Sequence, residues 1–227
     1  MNTWIEALLA VFLLTGLMLA ASSRLLHCIR LMAVQGILLG ILPLLTAYPD
    51  AMSWKTLAVM LVNIGIKGAA LPYLLTVAMR KANVRRELEP LIGYSSSLLI
   101  VLALLGLSFW VGTKLPLQGE GVQLVMPIAF STMLTGLFIV MARRKAITQT
   151  IGFLTFENGI SLFGAGLMLE FGLVVELGIL LDVFALVFIM GIAVLRINHE
   201  FEHIDADRLN HLSDGVEIPA EPAEKGV

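Results

Sequence analysis

Apolar residues in this chain gather into seven long runs separated by short polar links. The runs cover roughly residues 4–21, 25–47, 56–79, 91–113, 122–142, 147–169 and 172–195, with ends set to within a few residues. Each approaches the ~20 residues that an α-helix needs to cross the hydrocarbon core of a bilayer. Clean alternation of apolar and polar positions is missing, and a membrane barrel uses an even number of shorter segments. The pattern therefore predicts an all-α membrane protein of seven transmembrane helices. Beyond Arg196 the chain turns polar. Phe201, Ile204, Leu209 and Leu212 are loosely spaced for a short amphipathic helix. Residues 214–227, with Pro219, Pro222 and several Glu, read as a disordered tail.

Composition agrees with that picture. Of 227 residues, 58% are hydrophobic and only 14% are charged, and the mean hydropathy is +0.92. Soluble domains carry about 25% charged residues, so little beyond the tail is left for one. The single Cys28 excludes an internal disulfide and a cysteine-based metal cluster, and reads as packing. The first run has Glu6 near its start and its Arg residues behind it, the reverse of a cleavable signal peptide, so it is expected to be a permanent span.

The placement of Lys and Arg gives an orientation. Arg24 and Arg30 follow the first run, Arg80, Lys81, Arg85 and Arg86 the third, Arg143, Arg144 and Lys145 the fifth, and Arg196 the seventh. The intervening side has only Lys55 and Lys114, beside Asp50, Glu120, Glu170 and Glu176. Cytoplasmic links are enriched in Lys and Arg, which puts the N-terminus outside and the C-terminus in the cytoplasm. These basic links read as orientation signals and headgroup contacts. They lack the aromatic interleaving of a nucleic-acid surface, so no nucleic-acid partner is expected.

The chain also carries a weak internal repeat. Aligning Ile29 with Ile151 sets Gln35 on Glu157, one polar residue at the centre of the second and of the sixth run. The following run in each half again has one central ionisable residue, Lys67 and Asp182. The fourth run restores the orientation, so the repeats are parallel, in a 3+1+3 arrangement. The expected divisions are 1–86 for the first three-helix repeat, 87–119 for the linking helix, 120–196 for the second repeat and 197–227 for a cytoplasmic tail.

Chemistry is expected at Gln35, Lys67, Glu157 and Asp182. A charge at the centre of a membrane helix costs about 2.5–3.5 kcal/mol even on insertion scales. Such residues mark an ion or proton path, or else form a buried pair, Lys67 with Glu157 or Asp182, that holds helices together. Burial favours the neutral forms of these groups and pairing the charged ones, and a group held between the two influences can pass a proton. Thr150, Phe153 and Ser161 share a helical face with Glu157, and Asn63 shares one with Lys67. Pro72 predicts a kink or hydrated break beside Lys67, because its ring displaces the carbonyl of Gly68.

The basic link Arg143–Lys145, the central Glu157 in Gly152-Phe-Leu-Thr-Phe-Glu157 and the central acid Asp182 in the next run together resemble the small three-helix K-type subunit of respiratory complex I. They equally resemble the matching C-type subunit of multisubunit cation/proton antiporters. The duplicated, seven-span form is similar to membrane component E of hydrogenase-4, of the formate hydrogenlyase type. The resemblance implies a non-catalytic membrane subunit of a redox-driven, proton-translocating complex. Such a subunit would lie in a bacterial or archaeal cytoplasmic (inner) membrane, beside antiporter-like and hydrogenase-like subunits, and hold no cofactor of its own. It also implies a lateral proton path, with Glu157 and Asp182 in the places of the family's two helix-centre carboxylates. The first repeat departs from the pattern: Gln35 and Lys67 stand where Glu is expected, and Gln35 cannot carry a proton as an acid does.

Other signals weigh less. His199-Glu-Phe-Glu-His203 fits a zinc-hydrolase pattern, but no third ligand is evident and the acidic tail offers no core to shape a cleft. Gly36 and Gly40 are spaced for a close helix contact. A free-standing seven-helix small-molecule or ion carrier with parallel repeats is the competing class. Three central charges suit ions better than sugars, and the chain has no Pro-Gln dipeptide of the kind seen in relatives of the small sugar exporters.

Overall fold

The helices follow the apolar runs closely. In the computed structural model, which describes residues 3–47, 54–81, 92–112, 114, 122–166 and 178, α1 spans Thr3–Ala21 and α2 Leu25–Ala47. Then come α3 (Trp54–Asn63), a π-helical segment (Ile64–Ala70), α4 (Leu71–Lys81), α5 (Tyr94–Gly112), α6 (Val122–Ala142) and α7 (Ala146–Gly166). Among the described residues, five helical stretches are long and apolar enough to cross a membrane: Thr3–Ala21, Leu25–Leu42, Met60–Arg80, Tyr94–Gly112 and Leu124–Ala142. The 21-residue α7 is as long but more polar, since it carries Gln149, Glu157, Asn158 and several threonines. The seventh run lies outside the described residues apart from Gly178, as does the tail with His199 and His203.

The third run is not one continuous α-helix. Leu71 N–H donates to Ile66 O, five residues back, where an α-helix would use the fourth. The cause is Pro72. In an α-helix its ring would strike the carbonyl of Gly68, and it has no N–H to donate. Widening the turn relieves the clash, and the small residues Gly65, Gly68, Ala69 and Ala70 allow the wider backbone. The π segment carries Lys67.

Two apolar clusters form the interior. One gathers Leu19 of α1, Ile29 and Met32 of α2, Leu71 and Leu75 of α4, Val101 of α5, Ile139 of α6, and Ile151 and Leu154 of α7. The other gathers Leu9 and Phe12 of α1, Leu39 and Leu42 of α2, Ile128 and Ala129 of α6, and Leu162 of α7. Between them α1, α2, α6, α7 and the π segment contribute buried polar residues: Thr15 from α1, Gln35 from α2, Thr132 and Thr135 from α6, Thr155, Glu157 and Asn158 from α7, and Lys67 from the π segment. Three of the threonines satisfy their hydroxyls within their own helices, on Phe12 O, Ile128 O and Ile151 O. The remaining side chains of this layer must find partners across helices.

The tightest helix contact is between α6 and α7. A Cβ at Gly136 would lie 2.7 Å from Gly152 O, and one at Gly152 would lie 2.9 Å from Gly136 O. Such mutual approach of small residues lets backbones touch where apolar burial gives little drive. Gly106 of α5, by contrast, has open space where a Cβ would go. Gly136→Ala should cost about 1–3 kcal/mol from overpacking against backbone. Gly106→Ala should gain up to about 1 kcal/mol from helix propensity alone. Thermal unfolding in detergent checks both, and equal effects at the two sites would contradict the described α6–α7 contact.

Candidate functional site: an ion pair in the polar layer

Lys67 and Glu157 meet at the centre of the polar layer. Lys67 is 3% exposed and Glu157 1%. The ammonium donates to Glu157 Oε1, and also to Ser161 Oγ at 3.1 Å. The pair joins residues 90 positions apart, from the third and the sixth apolar runs. Their meeting depends on two backbone features. The π segment sets the direction in which Lys67 leaves its helix. On the facing α2, Gly36 admits the Lys67 backbone: a Cβ there would lie 2.7 Å from the Lys67 carbonyl carbon. Any larger residue at 36 would push the two helices apart.

Gln35 and Asn158 extend the layer across α2 and α7. Asn158 Nδ2 donates to Gln35 Oε1 at 3.4 Å, a long bond between two buried carboxamides. Gln35 Nε2 faces α1, where the missing Cβ of Gly16 would lie 3.9 Å from it. Among the described residues, Gln35 Nε2 and Glu157 Oε2 have no hydrogen-bond partner. Leaving such a buried group unsatisfied costs about 1–3 kcal/mol, more if charged. Among the described residues the layer thus has unused capacity for a proton or a polar molecule beside its ion pair.

The four residues expected from the sequence are distributed as follows. Lys67 and Glu157 are in direct contact, and Gln35 lies next to them through Asn158. Asp182 falls outside the described residues. Of the neighbours expected on the Glu157 face, Ser161 touches the ammonium. Thr150 instead spends its hydroxyl on Ala146 O at 2.9 Å. Gly178 was not visible as a site residue, because a glycine in an apolar run carries no chemical signal. A Cβ at its position would lie 3.8 Å from Glu157 Oε1 and 4.0 Å from both Lys67 Nζ and Ser161 Oγ. Gly178 of the seventh run therefore sits directly beside the pair.

One basic link corrects the sequence reading. Arg143, expected to be an orientation signal and headgroup contact, is 2% exposed. Its Nη2 donates to Ala20 O at 3.1 Å, and its guanidinium lies 5.2 Å from the centre of the Tyr94 ring. Burial pulls the guanidinium below its ordinary value, while Tyr94 and Cys28 oppose that shift. Arg143 thus ties α1, α5 and the α6–α7 turn together. Its neighbour Arg144 is exposed. A run of adjacent cations gives no sign of which one the fold takes inside.

Comparison with known proteins adds one relative. Over 188 residues the chain is 34% identical to a protein of Mycobacterium tuberculosis described as "Uncharacterized protein Rv0085", covering 82% of this chain and 85% of the mycobacterial one. No family model matches the chain, and no solved structure does.

The burial of the pair predicts its mutational behaviour. Lys67→Met strands a buried carboxylate and should destabilise by about 3–5 kcal/mol. The double variant Lys67→Met/Glu157→Met removes both charges at nearly constant volume and should recover wild-type stability or exceed it. Chemical denaturation in detergent reads both. A double variant no more stable than the single one would mean that the two side chains are not energetically paired.

Proposed function

The chain belongs to the same family as the mycobacterial protein Rv0085, and we propose that it is a non-catalytic membrane subunit of a redox-driven, proton-translocating complex. In this reading it has seven transmembrane helices in a 3+1+3 arrangement, an external N-terminus and a cytoplasmic C-terminus. Its partners are antiporter-like and hydrogenase-like membrane subunits, and its role is to contribute to a lateral proton path. The observation that carries the reading is the buried Lys67–Glu157 pair, set between two apolar clusters near the middle of its helices.

The polar layer supplies what such a path needs. Transfer of one proton from Lys67 Nζ to Glu157 Oε1 turns a charged pair into a neutral one without moving a heavy atom far. Ser161, hydrogen bonded to the ammonium, can both accept and donate. Glu157 Oε2 has no partner among the described residues, so the carboxylate keeps a free lone-pair side for a donor. On the α2 side, Gln35 and Asn158 continue the polar line; a carboxamide orients a proton carrier without itself acting as an acid. Asp182, on the run that contains Gly178, takes the place of the second acid in this reading. The repeat relation supports it as well. Ile29 and Ile151 lie in the same apolar cluster, and Gln35 and Glu157 lie in the same polar layer.

Glue and path separate experimentally. The Lys67→Met/Glu157→Met variant should assemble into its complex and remain stable. Proton movement in sealed membrane vesicles should nevertheless fall by about tenfold or more, the effect of roughly 1.4 kcal/mol on a barrier. Wild-type proton transport by an assembled double variant would end the path reading. A chain that purifies without large partners and moves a solute alone would favour the free-standing carrier.

A further inference from the structure

We infer that a groove between α2 and α4 is a binding site for one anionic phospholipid. The groove encloses about 320 Å³. Its floor is apolar, from Ile29 and Ala33 on α2 and Pro72 and Val77 on α4. Two guanidiniums, Arg30 and Arg80, line it as well, and both are exposed. α2 begins at Leu25 and α4 ends at Lys81, so the antiparallel helices bring both Arg residues to the same end. The inference rests on the chain lying in a bilayer and does not require the proton path.

Three observations select the occupant. The first is charge: neither α2 nor α4 contains an acidic residue, and among the described residues neither Arg has a carboxylate partner. Two like charges beside an apolar wall, with no counter-charge among the described residues, suit an anion that brings hydrocarbon with it. The second is the spare hydrogen-bonding capacity. The hydroxyl of Thr76, which also lines the groove, is committed to Pro72 O at 2.8 Å. The guanidinium forks are the charged donors available to a headgroup, and their geometry matches phosphate oxygens. The third is the wall formed by Tyr73, 70% exposed, whose ring offers an apolar face to an acyl chain. Basic pockets between membrane helices on the cytoplasmic side take anionic headgroups.

The position also gives the lipid a consequence. Pro72 lines the groove and lies two residues beyond the π segment that holds Lys67. A lipid seated there bridges α2 and α4 directly beside the break and steadies the helix that aims the ammonium.

Native mass spectrometry of the delipidated full-length protein, with phosphatidylglycerol or phosphatidylcholine added back, tests the site. At about fivefold per cation near a membrane surface, two Arg residues should favour the anionic lipid by roughly twenty-five-fold at a stoichiometry of one. R30Q and R80Q should each cut that preference about fivefold, and R30Q/R80Q should abolish it. R30K/R80K keeps the charges and should retain most of it, which guards against loss through misfolding. R144Q alters an exposed cation outside the groove and should leave the preference unchanged. No preference in the wild-type chain, an undiminished preference in R30Q/R80Q, or an equal loss in R144Q would each overturn the assignment. So would a partner subunit found filling the groove in the intact complex.

Discussion

Placing an ammonium and a carboxylate out of reach of water is costly, and the attraction between them offsets that cost only if they touch and their remaining valences are met. In this protein Lys67 and Glu157 do touch, Ser161 accepts a second hydrogen bond from the ammonium, and one carboxylate oxygen has no partner among the described residues. Much of the interior is arranged around that contact. Apolar clusters close both ends of the layer that holds it, and threonines facing the same layer spend their hydroxyls on their own helices. A change at either residue of the pair is therefore felt directly by the other.

Backbone geometry makes the contact reachable. Pro72 cannot continue a regular α-helix, and the π segment it imposes falls on the turn that carries Lys67. Gly36 allows α2 to rest against the Lys67 main chain. On the other side, Gly136 and Gly152 bring α6 and α7 together at the distance of backbone contact, which holds the Glu157 helix in place. Elsewhere a break, a missing side chain and a close helix crossing would each weaken a bundle. Here they serve one alignment.

Much of the architecture was legible in the chain itself. The helices α1, α2, α5 and α6 coincide with apolar runs to within a few residues, because a segment of that length and hydropathy has few other ways to satisfy its backbone. The polar centres at Gln35, Lys67 and Glu157 stood out by contrast with their surroundings, and the disturbance beside Lys67 followed from the clash of the Pro72 ring with the carbonyl of Gly68. Less visible were residues whose role depends on a neighbour from elsewhere in the chain. Asn158 sits one position after Glu157, and its part in the layer depends on its carboxamide meeting Gln35 from α2. Gly178 has no chemistry of its own and matters only as the gap beside the pair.

The sequence by itself determined that long apolar helices form, and that a few polar groups must sit inside them, since periodicity and hydropathy are local properties. Partnership was decided by the tertiary structure. That Lys67 would meet Glu157, and that Arg143 would turn inward onto Ala20 and Tyr94, depended on helix rotation and crossing. Those are set by contacts between residues far apart in the chain, such as Gly36 with Lys67 and Gly136 with Gly152. No reading of one segment at a time contains them, because the energy that fixes each rotation belongs to two helices at once.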